Sequence, residues 1–235
     1  MNPILLSHWL PICDRARIAY IPATFGPEVR IDEIFRFLEG LGDTPTLDRA
    51  YAWLRRHYQP RSTMWRWDCC STEILKATMA ESYPTALPLL EFDLDEPRFM
   101  SVLEELERSL RGVTPTQQPT VSVLVRPWVN AKVEASYPVE FRAFTFPSGI
   151  AVSSYYTRRP LPTSYEETAI QVRNLTEKLA AYTPLPSFSA DFLLTEEGNL
   201  LFLEGGLGFT REGLVNSCCF SGEPKPGAIA LSYQR

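Results

Sequence analysis

The chain changes character near its middle when it is read for the spacing of apolar and polar positions. Asp32–Glu39 and Leu47–Tyr58 carry helical spacing; the second segment follows Thr46, an N-cap residue type, and sets Leu47, Tyr51 and Leu54 along one stripe. Thr63–Trp67 alternates Met64 and Arg66 against Trp65 and Trp67, the period of a short strand. Ser71 and Thr72 open a predicted helix through Glu81, with Glu73 near the favourable end of its dipole. A further helix is predicted from Asp95 to Leu110, with Pro97 in its first turn. The first half thus reads as mainly helical.

Strand patterns dominate afterwards. Val121–Val129 reads as a strand, and Pro127 favours an edge position for it. Val139–Phe146 and Ile150–Tyr156 read as a hairpin closed by Pro147-Ser148-Gly149. Ser164 and Glu167 form a capping-box pattern, which predicts a helix continuing to Tyr182. A second hairpin pairs Phe188–Thr195 with Leu200–Glu204 through Glu196-Glu197-Gly198-Asn199. These elements predict an α+β fold, an antiparallel sheet covered by helices. The polar, proline-marked TPTQQPT stretch marks a division, giving an N-terminal helical region over 1–60, a smaller subdomain over 61–118 and a larger one over 119–235.

Charges on otherwise apolar strand faces are the informative sites. With Glu197-Gly198 as central turn residues, Leu193 faces Phe202 and Asp191 faces Glu204. Two opposed carboxylates repel unless one is protonated or a cation lies between them, and Mg2+ shared with phosphates is an economical answer. Equally, Asp191 can end the buried part of its strand, with Glu204 at the frayed end of the other. In the first hairpin, a three-residue loop sets Arg142 opposite Ser154 and Glu140 opposite Tyr156, either as a surface ion pair or as a ligand-facing cluster. Arg126, inside an apolar strand, is a third such charge.

Composition narrows the class. The chain has 235 residues, 45% hydrophobic and 22% charged, with a formal charge of −5, so it can bury a substantial core and lacks the basic excess of a general nucleic-acid binder. No apolar run approaches the roughly 20 residues that span a bilayer, and the positive charges follow the N-terminal apolar patch, which makes it a poor signal peptide. A soluble cytoplasmic protein is expected. Five cysteines, four of them in the vicinal pairs Cys69-Cys70 and Cys218-Cys219, fit neither a disulfide framework nor zinc-ligand spacing, and read as reduced thiols.

The ordered segments RSTMWRWDCCSTEILKATMA, VLVRPWV, VEFRAFTFPSGIAVSSYY and FSADFLLTEEGNLLFLEGG resemble the ATP-grasp superfamily. Within it they are most similar to the branch that holds the eukaryotic assembly chaperone of translation initiation factor two, with its bacterial and phage relatives. The resemblance covers Arg61 to Phe209. It implies two subdomains with a nucleotide held between them, and ATP and Mg2+ as cofactors. It also implies that Arg66 and Lys76 meet the phosphates and that Leu124, Val125 and Arg126 offer backbone to the adenine. Arg142 would bind phosphate with Glu140 orienting it, and Asp191 and Glu204 would hold Mg2+. Where the superfamily often ends in E-x-N, this chain has Glu204-Gly205-Gly206.

Three functions follow from that resemblance. The first is an ATP-dependent carboxylate–amine ligase acting through an acyl phosphate on a small-molecule, peptide or protein acceptor. The second is an ATP-binding assembly factor that clamps a protein partner, and the third a protein that has lost its nucleotide. The missing asparagine favours the latter two; the size of the chain favours the first. A nucleic-acid ligase would need a nucleophilic lysine in a K-x-D-G setting, and Lys76, Lys132, Lys178 and Lys225 have none.

Overall fold

A computed structural model describes residues 3–59, 62–69, 120–156, 160–207 and 225–231. Lys76, the helices expected over 71–81 and 95–110, the TPTQQPT stretch before Thr120, Cys70 and the Cys218-Cys219 pair lie outside these residues. The chain divides into two units, one built from Met1–Ile21 and Val129–Arg235, the other from Pro22–Trp128. The first 60 residues therefore form no unit of their own. The helix-forming N-terminus belongs with the distant C-terminal half.

In the first unit, α1 (Leu6–Ala16) spaces Leu6, Trp9, Leu10 and Cys13 on one buried stripe and ends at Arg17, in the left-handed region at φ 53°. Its sheet runs in the order β10-β7-β6-β8-β9, from β6 (Glu140–Phe146), β7 (Gly149–Ser154), β8 (Phe188–Leu194), β9 (Leu200–Leu207) and β10 (Ile229–Ala230). All neighbours are antiparallel except β10 beside β7. Helix α1 and a second helix, α4 (Glu166–Ala180), pack on this sheet. On that side Phe141, Ala143, Phe188, Ala190, Phe192 and Phe202 are wholly buried, and Trp9 rests on Phe188 and Phe202 with ring centres 5.0 and 6.1 Å away. Each buried Phe contributes on the order of 1.5–3 kcal/mol. A short ribbon of β4 (Val133–Glu134) and β5 (Tyr137–Pro138) leads into β6.

The capping box is not formed. Thr163–Tyr165 make a 3-10 turn, and α4 begins at Glu166 without a side-chain cap. Burial of Tyr165 competes successfully: its ring lies edge-on to Phe141 and its hydroxyl donates to Glu134 Oε2 at 3.2 Å.

The second unit holds β1 (Thr24–Arg30), α2 (Ile31–Leu38), α3 (Pro45–His57), β2 (Thr63–Trp67) and β3 (Thr120–Pro127), with the antiparallel order β1-β3-β2. Strand β3 is therefore central, not at the edge, and Pro127 is its last residue, beyond the point where a ladder donor is needed. The N-cap of α3 is Thr44 with Pro45 in the first turn. Thr46 has other work: its hydroxyl donates to Glu33 Oε2 at 2.7 Å and accepts from the Arg30 amide at 3.0 Å.

Candidate functional site

Three neighbouring strands of the first unit present charges on the sheet face opposite Phe141 and Ala143. Cross-strand register sets Arg142 of β6 beside Asp191 of β8, and Asp191 beside Glu204 of β9. Arg142 donates through Nε to Asp191 Oδ1 at 2.7 Å and through Nη2 to Oδ2 at 2.6 Å, a two-pronged fork. The Asp191 side chain is 4% exposed and that of Arg142 16%. The Tyr155 ring lies beneath the guanidinium, 4.6 Å from Cζ to centroid.

The electrostatics follow from these contacts. Burial alone would lower the Arg142 pKa, but the charge and hydrogen bonds of Asp191 outweigh it, with Tyr155 and Glu204 adding, and the group is held above its ordinary range. Burial pushes the Tyr156 phenol upward, and the Glu140 carboxylate beside it pushes further in the same direction. Tyr156 also meets Tyr155 and Tyr137 edge-on, at 4.9 and 5.1 Å between ring centres. The acidic and basic residues of the cluster are thus framed by tyrosines.

The first hairpin is tighter than its sequence suggests. Phe146 pairs with Gly149 across Pro147-Ser148, which shifts every partner by one. Arg142 faces Ser153, not Ser154, and the Tyr155 amide donates to the Glu140 carbonyl at 3.0 Å, so the backbone partner of Glu140 is Tyr155 while its carboxylate lies by the Tyr156 phenol. Asp191, from the neighbouring strand, grips Arg142 through both prongs of the fork.

The second hairpin reaches the expected Asp191–Glu204 pairing by a different route. Its loop has three residues, Glu196–Gly198, closed by Thr195 and Asn199, with Gly198 at φ +85° where a side chain would strain the turn. That displaces the register by one, so Leu193 faces Leu201 and Phe202 turns to the helix-covered side with Phe192. An irregularity between Asp191 and Phe192, where Leu203 is the extra residue, shifts it back. The two displacements cancel at Asp191.

The cation inferred between opposed carboxylates is in part the protein's own, Arg142. Among the described residues no three His, Cys, Asp or Glu side chains converge as a metal-type group. Asp191 and Glu204 still fit Mg2+, which takes one or two carboxylates and fills its shell with water and phosphate oxygens. Gly206 contributes no side-chain ligand, and a Cβ there would lie 3.3 Å from Ser189 Oγ.

The remaining candidates lie in the second unit. Arg66 and Arg126 are buried, 3% and 2% exposed, and the β2–β3 register puts them on one face with Met64 and Leu124. Arg66 Nε donates to the Trp67 carbonyl at 3.1 Å. Leu124 and Val125 pair with both β1 and β2, and Arg126 with Met64 of β2. A purine edge read by this backbone would need an open flank, and here the ladder occupies it.

No family model matches the sequence, and no curated protein does. Among solved structures, C-terminally truncated Cdc123 from Schizosaccharomyces pombe superposes with TM-score 0.52 at 12% identity, over 87% of this chain and 83% of that one. The likeness to Cdc123 is one of fold. Two further structures are an L-amino acid ligase from Bacillus licheniformis (TM-score 0.45, 8% identity, 89% of this chain, 44% of that one) and a RimK domain ATP-grasp protein from Sphaerobacter thermophilus (0.41, 9%, 89% and 61%). At such identities the likeness says nothing of activity.

Proposed function

We propose that the protein binds ATP with Mg2+ at the Arg142–Asp191–Glu204 cluster and uses it for ATP-dependent ligation of a carboxylate to an amine. One observation carries this reading. A guanidinium fork and two carboxylates, drawn from three adjacent strands, occupy one face of an ATP-grasp-like sheet. The fork suits phosphate, and the carboxylates suit a hard cation. Bound there, Mg2+ would neutralise charge on the phosphate oxygens.

In this reading a substrate carboxylate oxygen attacks the terminal phosphorus of ATP, and the bond to the ADP oxygen breaks. An amine then attacks the acyl carbon of the acyl phosphate, inorganic phosphate leaves, and the amine loses a proton. Arg142 stabilises charge on the transferring phosphoryl group. Glu140, beside Tyr156, belongs to the wall of the site. Arg66 and Lys76 are assigned to phosphate by resemblance alone.

ADP release on incubation with Mg2+-ATP and panels of amino acids and short peptides tests the activity; release with one panel member, abolished in Arg142→Lys, is the expected result. Gly206 in place of asparagine favours a second reading, an ATP-binding assembly factor without turnover. Binding of Mg2+-ATP with no ADP under any acceptor, together with stoichiometric copurification of one protein, would select it.

A further inference from the structure

The proposed reading assigns Arg142 to phosphate and Asp191 to Mg2+, yet each holds the other through two short hydrogen bonds. A phosphate oxygen approaching Arg142 meets donors already turned toward a buried carboxylate. It also meets an unfavourable field. On this face the described strands set Glu140, Asp191 and Glu204 around the single guanidinium of Arg142. A polyphosphate arriving alone must displace Asp191 from the fork and separate that carboxylate, 3% exposed, from the guanidinium's charge. A polyphosphate arriving with a divalent cation supplies Asp191 with a replacement positive charge as it takes over the fork. The Tyr155 ring, stacked on the guanidinium and not on its donor edge, can keep the plane in place through the exchange.

We infer that the Arg142–Asp191 pair makes this cluster selective for metal-chelated polyphosphate over the same polyphosphate without metal. Asp191 is thus a specificity residue as well as a metal ligand, because it withholds Arg142 until the cation arrives. The inference rests on the nucleotide reading and deepens it.

Calorimetry with ATP in EDTA and with Mg2+-ATP, on wild type, Asp191→Asn and Asp191→Ser, tests it. Wild type should bind Mg2+-ATP at least about tenfold more tightly than ATP in EDTA. Both variants should bind metal-free ATP about tenfold more tightly than wild type does, and added Mg2+ should gain them nothing. Variants no better than wild type toward metal-free ATP, beside a wild type that binds Mg2+-ATP, overturn the selectivity and leave the nucleotide reading standing. A wild type that binds no Mg2+-ATP overturns both. A second measurement needs no altered pair: the Arg142 Nε–H resonance of wild type, assigned by its loss in Arg142→Lys, should stay in place with ATP in EDTA and move when Mg2+ is added. Movement with metal-free ATP overturns the inference.

Discussion

Each unit of the molecule contains an Arg–Asp pair with the same fork. In one, Arg30 Nε and Nη2 reach Asp32 at 2.9 and 2.8 Å; in the other, Arg142 uses the same two nitrogens to reach Asp191 at 2.7 and 2.6 Å. Their surroundings differ. The side chains of the first pair are 60% and 47% exposed, those of the second 16% and 4%. Arg30 and Asp32 are two residues apart, whereas Arg142 and Asp191 are 49 apart and meet only because β6 and β8 are neighbours. Near-identical geometry therefore carries opposite energetic meaning. In water the pair gains little beyond its hydration, while in the sheet the loss of one partner strands a desolvated charge.

The largest expected effect follows. Arg142→Ala should lower unfolding free energy by about 3–5 kcal/mol in urea titration, because the buried Asp191 carboxylate loses the guanidinium that forks it. Arg142→Met with Asp191→Leu should recover most of that loss, while binding no nucleotide. A double variant as unstable as the single would show that packing around Tyr155, not the stranded charge, sets the cost. Raised above its ordinary value in the fold, the Arg142 pKa adds stability that is complete below that value and is lost only as pH rises through the folded pKa, so the effect should be flat from pH 5 to about 9.

The same contrast explains what the sequence revealed. Contacts inside one element or one hairpin were legible: β2 and α2 lie where their spacing put them, and Asp191 faces Glu204. The Arg142–Asp191 pair was not, because α4 and its connections intervene and no local pattern reports which strands become neighbours. The off-by-one register of the first hairpin came from a turn that takes two residues where three were expected. Strand β1 escaped notice because Gly26 and Pro27 interrupt it; both fall inside the irregularity between Phe25 and Glu28, on a strand paired on one side only.

A packing test sharpens the comparison from the far side of the sheet. Asp191 keeps its place only while β9 lies flush against β8, and Trp9 of α1 presses on that strand at Gly205. A Cβ at Gly205 would enter the indole ring, whereas one at Gly206 meets Ser189 Oγ at 3.3 Å. Gly205→Ala should therefore cost about 1–3 kcal/mol and weaken Mg2+-ATP binding, with Gly206→Ala milder on both counts. Equal effects would mean that Trp9 relaxes and the strand is indifferent to it.

Glu33 provides an intermediate case in the second unit, a buried carboxylate served by neutral donors. Its Oε2 accepts from the Thr46 amide at 2.8 Å, the Thr46 hydroxyl at 2.7 Å and the Leu47 amide at 3.4 Å. Burial raises its pKa, the hydrogen bonds from Thr46 and Leu47 lower it further, and the net shift is downward from 4.5. A depressed carboxylate contributes stability above its unfolded value and loses it as pH falls through the folded one. Glu33→Gln should cost about 1–2 kcal/mol at neutral pH and flatten the acid limb of the stability profile below pH 4.5. An unchanged acid limb would assign that limb to other carboxylates.

The smallest effect belongs to Arg30–Asp32, and its smallness is the point. Asp32 is lowered from 3.8 chiefly by the hydrogen bond from Arg30. By the same sign rule any contribution exists above that value and vanishes as pH falls through the folded pKa. The pair is solvated, so the shift converts to almost no stability, and salt near 1 M screens what remains. The Arg30 amide, which donates to Thr46 Oγ1, survives truncation of the side chain. Arg30→Ala should therefore melt within experimental error of wild type at neutral pH, and any residual difference should disappear at about pH 2 or in 1 M salt. The loss in Arg142→Ala should persist in 1 M NaCl, because a buried pair is screened far less by diffuse monovalent ions than an exposed one. If salt erased both losses, or if Arg30→Ala cost as much as Arg142→Ala, burial would not be what separates these two forks, and the selectivity assigned to Asp191 would lose its physical ground.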